Sequence, residues 1–318
     1  MIEASGLSKY YGNHQAIEDV AFQIGKGEIV GLLGLNGAGK STILKILGCF
    51  LLPSRGSATV GGFSVDTDPQ SIRRIIGYLP DKPPLYDEMT VQDYLQFVAK
   101  LKDVPGGQLR ELTAEAIAKA NLEEVMDQRL GALSHGYRQR VGIAQAIVHK
   151  PQVLILDEPI NGLDPVQIVE MRDLILSLRG DHTVVLSSHI LSEMTKTCDR
   201  ILIIDQGRLV AEGSEEELQG KVSGSSNLVV EVADYDADLK DQLLRVAGVN
   251  GVSETSPEVM GAGTYLTIAV ESDCRAEIAK CVVQSGKGLL AMRQAEAGLE
   301  SVFMKMIQGT GGGEQPHG

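Results

Sequence analysis

Residues 34–41 read Gly34-Leu35-Asn36-Gly37-Ala38-Gly39-Lys40-Ser41, and the rest of the fold can be worked out from them. The spacing of Gly34, Gly39, Lys40 and Ser41 is that of a P-loop, in which backbone N–H groups of a glycine-rich turn converge on a β-phosphate and the next helix N-terminus adds a field that favours anions. The context this motif requires is present on both sides. Before it, residues 28–33 (EIVGLL) form an apolar run of strand length; after it, residues 41–48 (STILKILG) place Ile43, Leu44 and Leu47 on one helical face, with Gly48 as a C-cap. In such a loop Lys40 reaches the β- and γ-phosphates of ATP and Ser41 ligates Mg²⁺. Gly34, Asn36, Gly37, Gly39 and Thr42 complete the expected nucleotide cradle.

Downstream, Val153-Leu154-Ile155-Leu156 is a second all-apolar strand, and Asp157-Glu158 follows it directly. That puts two carboxylates at the C-terminal end of a buried parallel strand, where ligands of open α/β sheets collect. With a P-loop in the same chain, Asp157 is expected in the magnesium shell and Glu158 as the group that polarises the attacking water. Further apolar strands at Val184–Leu186 and Ile201–Ile204 alternate with a helix through Met171, Leu174 and Leu178, which implies a parallel sheet covered by helices. Between the two halves, Thr90 and Asp93 at capping-box spacing open a helix carrying Tyr94, Leu95, Val98 and Leu101. Helical pattern continues from there to about Lys150, so residues 85–150 read as a helical subdomain.

Near Lys221 the composition changes to VSGSSN, and 221–227 reads as a linker closing a first domain of 1–220. The remainder, 228–309, alternates strand, helix, strand, helix, strand, with one further strand hidden near Gly251. That order predicts a small ferredoxin-like α+β domain. A last amphipathic helix through Leu299, Val302, Phe303 and Met306 and a disordered tail at 310–318 are expected to end the chain.

The 318 residues carry a net charge of -13 with no cluster of Lys and Arg, which disfavours binding to a phosphate backbone; no nucleic-acid partner is expected. Four cysteines, Cys49, Cys198, Cys274 and Cys281, lack CxxC spacing, arguing against a zinc site and a disulfide framework. The N-terminal MIEASGLSKYYG lacks the basic start and apolar core of a signal peptide, and no stretch reaches the roughly 18 consecutive apolar residues needed to span a bilayer. Any membrane role is therefore expected to come through a partner.

Residues 133–140, Leu133-Ser134-His135-Gly136-Tyr137-Arg138-Gln139-Arg140, resemble the signature motif of ABC transporter ATP-binding subunits. The resemblance covers about Glu3 to Gly220, with the motifs in family order. It departs from the common LSGGQ form at His135 and Tyr137, and the RQR that follows is similar to export ATPases with a separately encoded permease, of the gliding-motility and multidrug type. The resemblance implies an ABC-type P-loop NTPase domain hydrolysing ATP. It also implies that Ser134 and Gly136 contact the nucleotide of a second copy of the chain, and that Asp164, in Asn161-Gly162-Leu163-Asp164, couples the two sites. His189, which ends TVVLSSH, resembles the switch histidine at the γ-phosphate, and Tyr11 the aromatic that stacks on adenine. Asp81 stands where family members carry a glutamine of the magnesium shell. By the same resemblance, the chain would sit peripherally on the cytoplasmic face of the inner (plasma) membrane. A ribosome or DNA clamp of the same ATPase class is disfavoured by the acidic charge and by the absence of a second nucleotide domain or an inserted coiled coil.

Overall fold

The computed structural model describes residues 1–222, 226–255, 263–271 and 273–294. In chain order its elements begin with β1 (Ile2–Tyr11), β2 (His14–Ile24), β3 (Ile29–Leu33), α1 (Lys40–Leu47), β4 (Arg55–Val60), β5 (Phe63–Ser64), α2 (Pro69–Ile75) and β6 (Ile76–Leu79). Next come the helical segment, α3 (Val91–Leu101), α4 (Leu109–Lys119) and α5 (His135–Ile147), and the returning β7 (Val153–Leu156), α6 (Pro165–Ser177), β8 (Thr183–Ser188), α7 (Leu191–Thr197), β9 (Arg200–Asp205) and β10 (Arg208–Gly213). The last elements are α8 (Glu215–Val222), β11 (Ser226–Ala233), α9 (Ala237–Leu243), β12 (Val249–Thr255), β13 (Thr264–Val270), α10 (Arg275–Gln284) and β14 (Gly288–Gln294).

Met1–Ser214 forms one compact unit, built on a six-stranded sheet in the order β10-β9-β3-β8-β7-β6. β3 lies parallel to both β8 and β9, and β7 is parallel to β8 and β6; only β10 runs antiparallel, beside β9. Every residue of β3, β7 and β8 is buried, as expected for strands covered on both faces. This order makes β3 and β7 near-neighbours with only β8 between them, so the loops leaving their C-terminal ends lie side by side. A second sheet, β2-β1-β4-β5, is antiparallel and its inner residues, among them Leu7, Ile17, Val20 and Val60, join the core under α1.

The helical segment starts as its capping box predicts: Thr90 Oγ1 accepts from the Asp93 N–H at 3.1 Å. Two of its side chains meet on one carbonyl of β6. Lys102 Nζ donates to the Ile76 oxygen at 3.1 Å and His149 Nε2–H donates to the same oxygen at 3.0 Å. Burial and the neighbouring Lys102 charge push the His149 imidazole down to about 4 from 6.5, and its Nδ1 is buried without a hydrogen-bond partner. The folded chain therefore keeps His149 neutral while the unfolded chain takes up a proton below pH 6.5, so this residue's contribution is whole above that pH and lost as pH falls toward 4. Between pH 7 and pH 5 the parent should lose about 2 kcal/mol more stability than His149→Gln in urea unfolding. Identical losses in the two proteins would show that His149 does not set the acid limb.

Glu215–Gly318 groups as a second unit, so the division falls after Ser214, ahead of the expected 220. The reason is α8, which three glutamates in its first turn, Glu215, Glu216 and Glu217, suit to a helix N-terminus. The expected linker 221–227 is correspondingly curtailed, because α8 runs to Val222 and β11 starts at Ser226. In this unit the sheet order is β12-β13-β11-β14, all pairs antiparallel, with the sequence βαββαβ of a ferredoxin-like fold. Its core joins Leu228, Val230 and Val232 of β11 to Leu239, Leu243, Ile278 and Val282 of the two helices. The helix expected through Leu299, Val302, Phe303 and Met306 and the tail 310–318 lie outside the described residues. Among the described residues no helix is long and apolar enough to cross a membrane.

Candidate functional site

The turn after β3 is held in a shape that glycine permits. Gly39, the N-cap of α1, has φ 106°, and a Cβ there would sit 2.7 Å from both the Ala16 oxygen and Ile17 Cγ2. Any L-residue at 39 would thus meet strain and the β2 backbone together. The turn is pinned from below as well: the Ala38 oxygen accepts from Gly207 N–H at 3.0 Å, and the Gly207 oxygen from Glu18 N–H at 2.8 Å.

Lys40 is 5% exposed and donates through Nζ to the Gly34 and Leu35 oxygens at 2.6 and 3.3 Å. Its Nζ also lies 3.2 Å from Glu158 Oε1. Glu158 Oε2 in turn accepts from His189 Nδ1–H at 3.1 Å, the tautomer being assigned from the carboxylate, which can only accept. One carboxylate therefore bridges the P-loop lysine and the histidine after β8. Glu158 has φ 49°, a left-handed conformation costing a side chain about 1–3 kcal/mol and concentrated at functional sites.

Asp157 is buried one residue earlier. Its Oδ1 accepts from Ser41 Oγ at 3.1 Å and from Ser187 Oγ at 2.7 Å, while Ser187 Oγ accepts from the Glu158 N–H at 2.9 Å. Ser187 thus aligns both carboxylate residues from the neighbouring strand. A serine inside an apolar strand carries no motif; only its pairing beside β7 reveals it.

Above these groups opens a cavity of about 630 Å³. Of the residues expected from sequence, Tyr11, Asn36, Gly37, Gly39, Lys40, Ser41, Thr42, Asp81, Glu158 and His189 line it. Gly34 and Asp157 lie beneath, contributing through Lys40 and Ser41. Ser134, Gly136 and Asp164 are not among its lining residues. Ser134 caps α5, accepting from the Tyr137 N–H, and Asp164 caps α6, accepting from the Gln167 N–H at 2.9 Å. Tyr11 is half exposed at the mouth, with Lys9 Nζ 5.6 Å from its ring centroid. His14, which pairs with Tyr11 across the β1–β2 hairpin, together with Ala16, Leu35, Ala38 and Asn161, also lines the cavity without having been singled out by sequence.

The sequence model of the family described as "ABC transporter" matches residues 17–161, a span that includes the P-loop, the Ser134–Gly136 turn and the Asp157–Glu158 pair. The bacitracin transport ATP-binding protein BcrA of Bacillus licheniformis is 30% identical over 319 residues, covering 97% of this chain and 98% of that protein. The linearmycin resistance ATP-binding protein LnrL of Bacillus subtilis (strain 168) is 31% identical over 254 residues, 80% of this chain and 82% of its own length. Among solved structures, the dimeric structure of MJ0796, a bacterial ABC transporter cassette, matches with a TM-score of 0.62 at 27% identity, over 67% of this chain and 98% of that one. A post-hydrolysis dimer of the same cassette, bound to ADP and Pi, matches equally well.

Proposed function

We propose that this chain, which belongs to the ABC transporter family as an ATP-binding and ATP-hydrolysing subunit, works as one half of a dimer that closes on two ATP molecules and drives a separately encoded export permease. The observation that carries this reading is the separation of Ser134, Gly136 and Asp164 from the cavity that the P-loop lines. A capped helix start aimed at a phosphate has no phosphate to meet in its own chain, and a second copy supplies one.

Within each site the residues divide the work. Tyr11 offers a face for the adenine ring at the cavity mouth, and the P-loop amides with Lys40 hold the phosphate chain. ATP entry draws Lys40 from Glu158 to the phosphates, which frees the Glu158 carboxylate to orient the attacking water and take its proton. His189 then holds the other carboxylate oxygen and, from the cavity wall, contacts the γ-phosphate.

Magnesium fits the base of the site. The Ser41 hydroxyl and the buried Asp157 carboxylate are hard oxygen donors already 3.1 Å apart, with Asp81 on the cavity wall. An ion held there would take its remaining ligands from phosphate oxygens and water. When bound, the ion neutralises charge on the β- and γ-oxygens.

Peripheral attachment to the cytoplasmic face of the membrane, through the permease, completes the reading. Its test is a pull-down of tagged Glu158→Gln protein from detergent-solubilised native membranes, with and without Mg-ATP. Co-purification of a polytopic membrane protein is expected; recovery of ribosomes or of soluble chains alone would overturn the permease assignment.

A further inference from the structure

His135 departs from the family's common form and does not itself line the nucleotide cavity. It is the first residue of α5, beside the Ser134 cap, and its Nε2 lies 3.0 Å from the Asn161 oxygen. A carbonyl only accepts, so Nε2 carries the proton and donates. Across the bond stands Gly162, where a Cβ would come within 3.3 Å of Nε2; glycine leaves room for the imidazole to seat.

Asn161 belongs to the site itself. It lines the nucleotide cavity, and its N–H donates to the Glu158 oxygen at 3.1 Å. Two hydrogen bonds in series therefore run from residue 135 to the backbone of Glu158, the strained residue whose carboxylate bridges Lys40 and His189. The rest of the α5 start is fastened elsewhere, with Arg138 Nη1 donating to Asp87 Oδ1 at 2.7 Å and to the Leu130 oxygen at 2.9 Å. His135 is thus a link between α5 and the 158–162 segment that is separate from the anchors keeping α5 in place.

We propose that His135 is a positioning residue that joins the partner-facing turn to the chain's own catalytic glutamate, so that seating the turn on the partner's nucleotide sets Glu158 for hydrolysis. This rests on the dimer reading above. It acts on the rate step and leaves the chain's own ATP contacts untouched, because His135 does not line the cavity.

The test uses full-length His135→Ala and His135→Gln, alone and in the Glu158→Gln background. The glutamine amide keeps an N–H donor for the Asn161 oxygen; alanine does not. His135→Ala is expected to lower kcat about tenfold, the value of one well-made hydrogen bond lost from a transition state, with KM for ATP within about twofold. His135→Gln should recover most of that loss. Unchanged kcat in the alanine variant, or a glutamine variant as slow as alanine at equal thermal stability, would overturn the link. In the Glu158→Gln background, light scattering with Mg-ATP separates the two ideas. ATP-dependent doubling of mass in Glu158→Gln, weakened by His135→Ala and restored by His135→Gln, supports both. Equal dimerisation with and without His135→Ala removes the coupling between the turn and the site while leaving the dimer; no dimer in Glu158→Gln itself removes the dimer reading and the inference with it.

Discussion

Glu158→Gln is expected to bind ATP as well as the parent, or better, and to hydrolyse it about 10²–10⁴-fold more slowly, the range spanned by a single general base. Glutamine keeps the length and shape of the side chain and the left-handed backbone at 158, with φ 49°, so the variant isolates the charge. Losing a negative charge beside the incoming γ-phosphate removes a repulsion, which is why affinity should hold or rise. Losing it also removes the acceptor for the water's proton, which is why turnover should collapse. Steady-state ATPase assays paired with equilibrium nucleotide binding check both halves. Undiminished hydrolysis would take Glu158 out of the chemistry. A companion variant probes the strain: Glu158→Gly should be inactive yet no less stable to heat than Glu158→Gln, because glycine occupies a positive φ at little cost.

The second large effect belongs to Lys40. Its ammonium is nearly buried, faces Glu158 Oε1 at 3.2 Å and is the one P-loop side chain whose charge opposes the phosphates. Lys40→Met preserves the apolar stem and deletes that charge. Charge-assisted hydrogen bonds to phosphate are worth about 1.5–3 kcal/mol each, so ATP affinity should fall on the order of 100-fold. Without nucleotide the variant should also be less stable, by about 3 kcal/mol, because Glu158, with 11% of its side chain exposed, keeps the His189 hydrogen bond but loses its countercharge. The two effects can be separated. In Lys40→Met/Glu158→Gln the stability loss should shrink while ATP affinity stays low, since the stranded charge is gone but the phosphates still lack their cation. Nucleotide titration and urea unfolding of the single and double variants measure this. A double variant no more stable than Lys40→Met would show that the pair contributes little to the fold.

The parts of this protein legible in sequence are those whose physics is local. A P-loop needs glycine at fixed offsets because its backbone must take φ values that other residues resist, and Gly37 and Gly39, at φ 84° and 106°, show that demand in the structure. Fully buried strands such as Val153–Leu156 announce themselves as unbroken apolar runs. The ferredoxin-like unit was readable from its alternation of strand and helix, including the strand near Gly251.

Where local pattern broke down, so did the reading. β1 and β2 pair through repeated register shifts between Ala4 and Tyr10, so their polar and apolar residues do not alternate cleanly, and neither strand stands out in the sequence. β4, β5 and β10 pass unread for a related reason: they are short or half-exposed, and their place is decided by the strands beside them. α8 hid in a polar stretch that reads as the approach to a linker, and the division between units moved to Ser214 with it.

The chemistry was therefore written in the sequence: a phosphate-binding turn, a lysine, a hydroxyl and a pair of carboxylates, each marked by its neighbours within a few positions. The assembly of that chemistry was decided only by tertiary structure. Ser187 orders Asp157 and Glu158 because β8 lies between β3 and β7, and His135 reaches Asn161 because the end of the β7 loop returns to the start of α5. Contacts of this kind join residues some 30 positions apart through strand order and loop return, quantities that no short window of residues encodes, so no inspection of residues 133–136 or 183–188 alone could have found them.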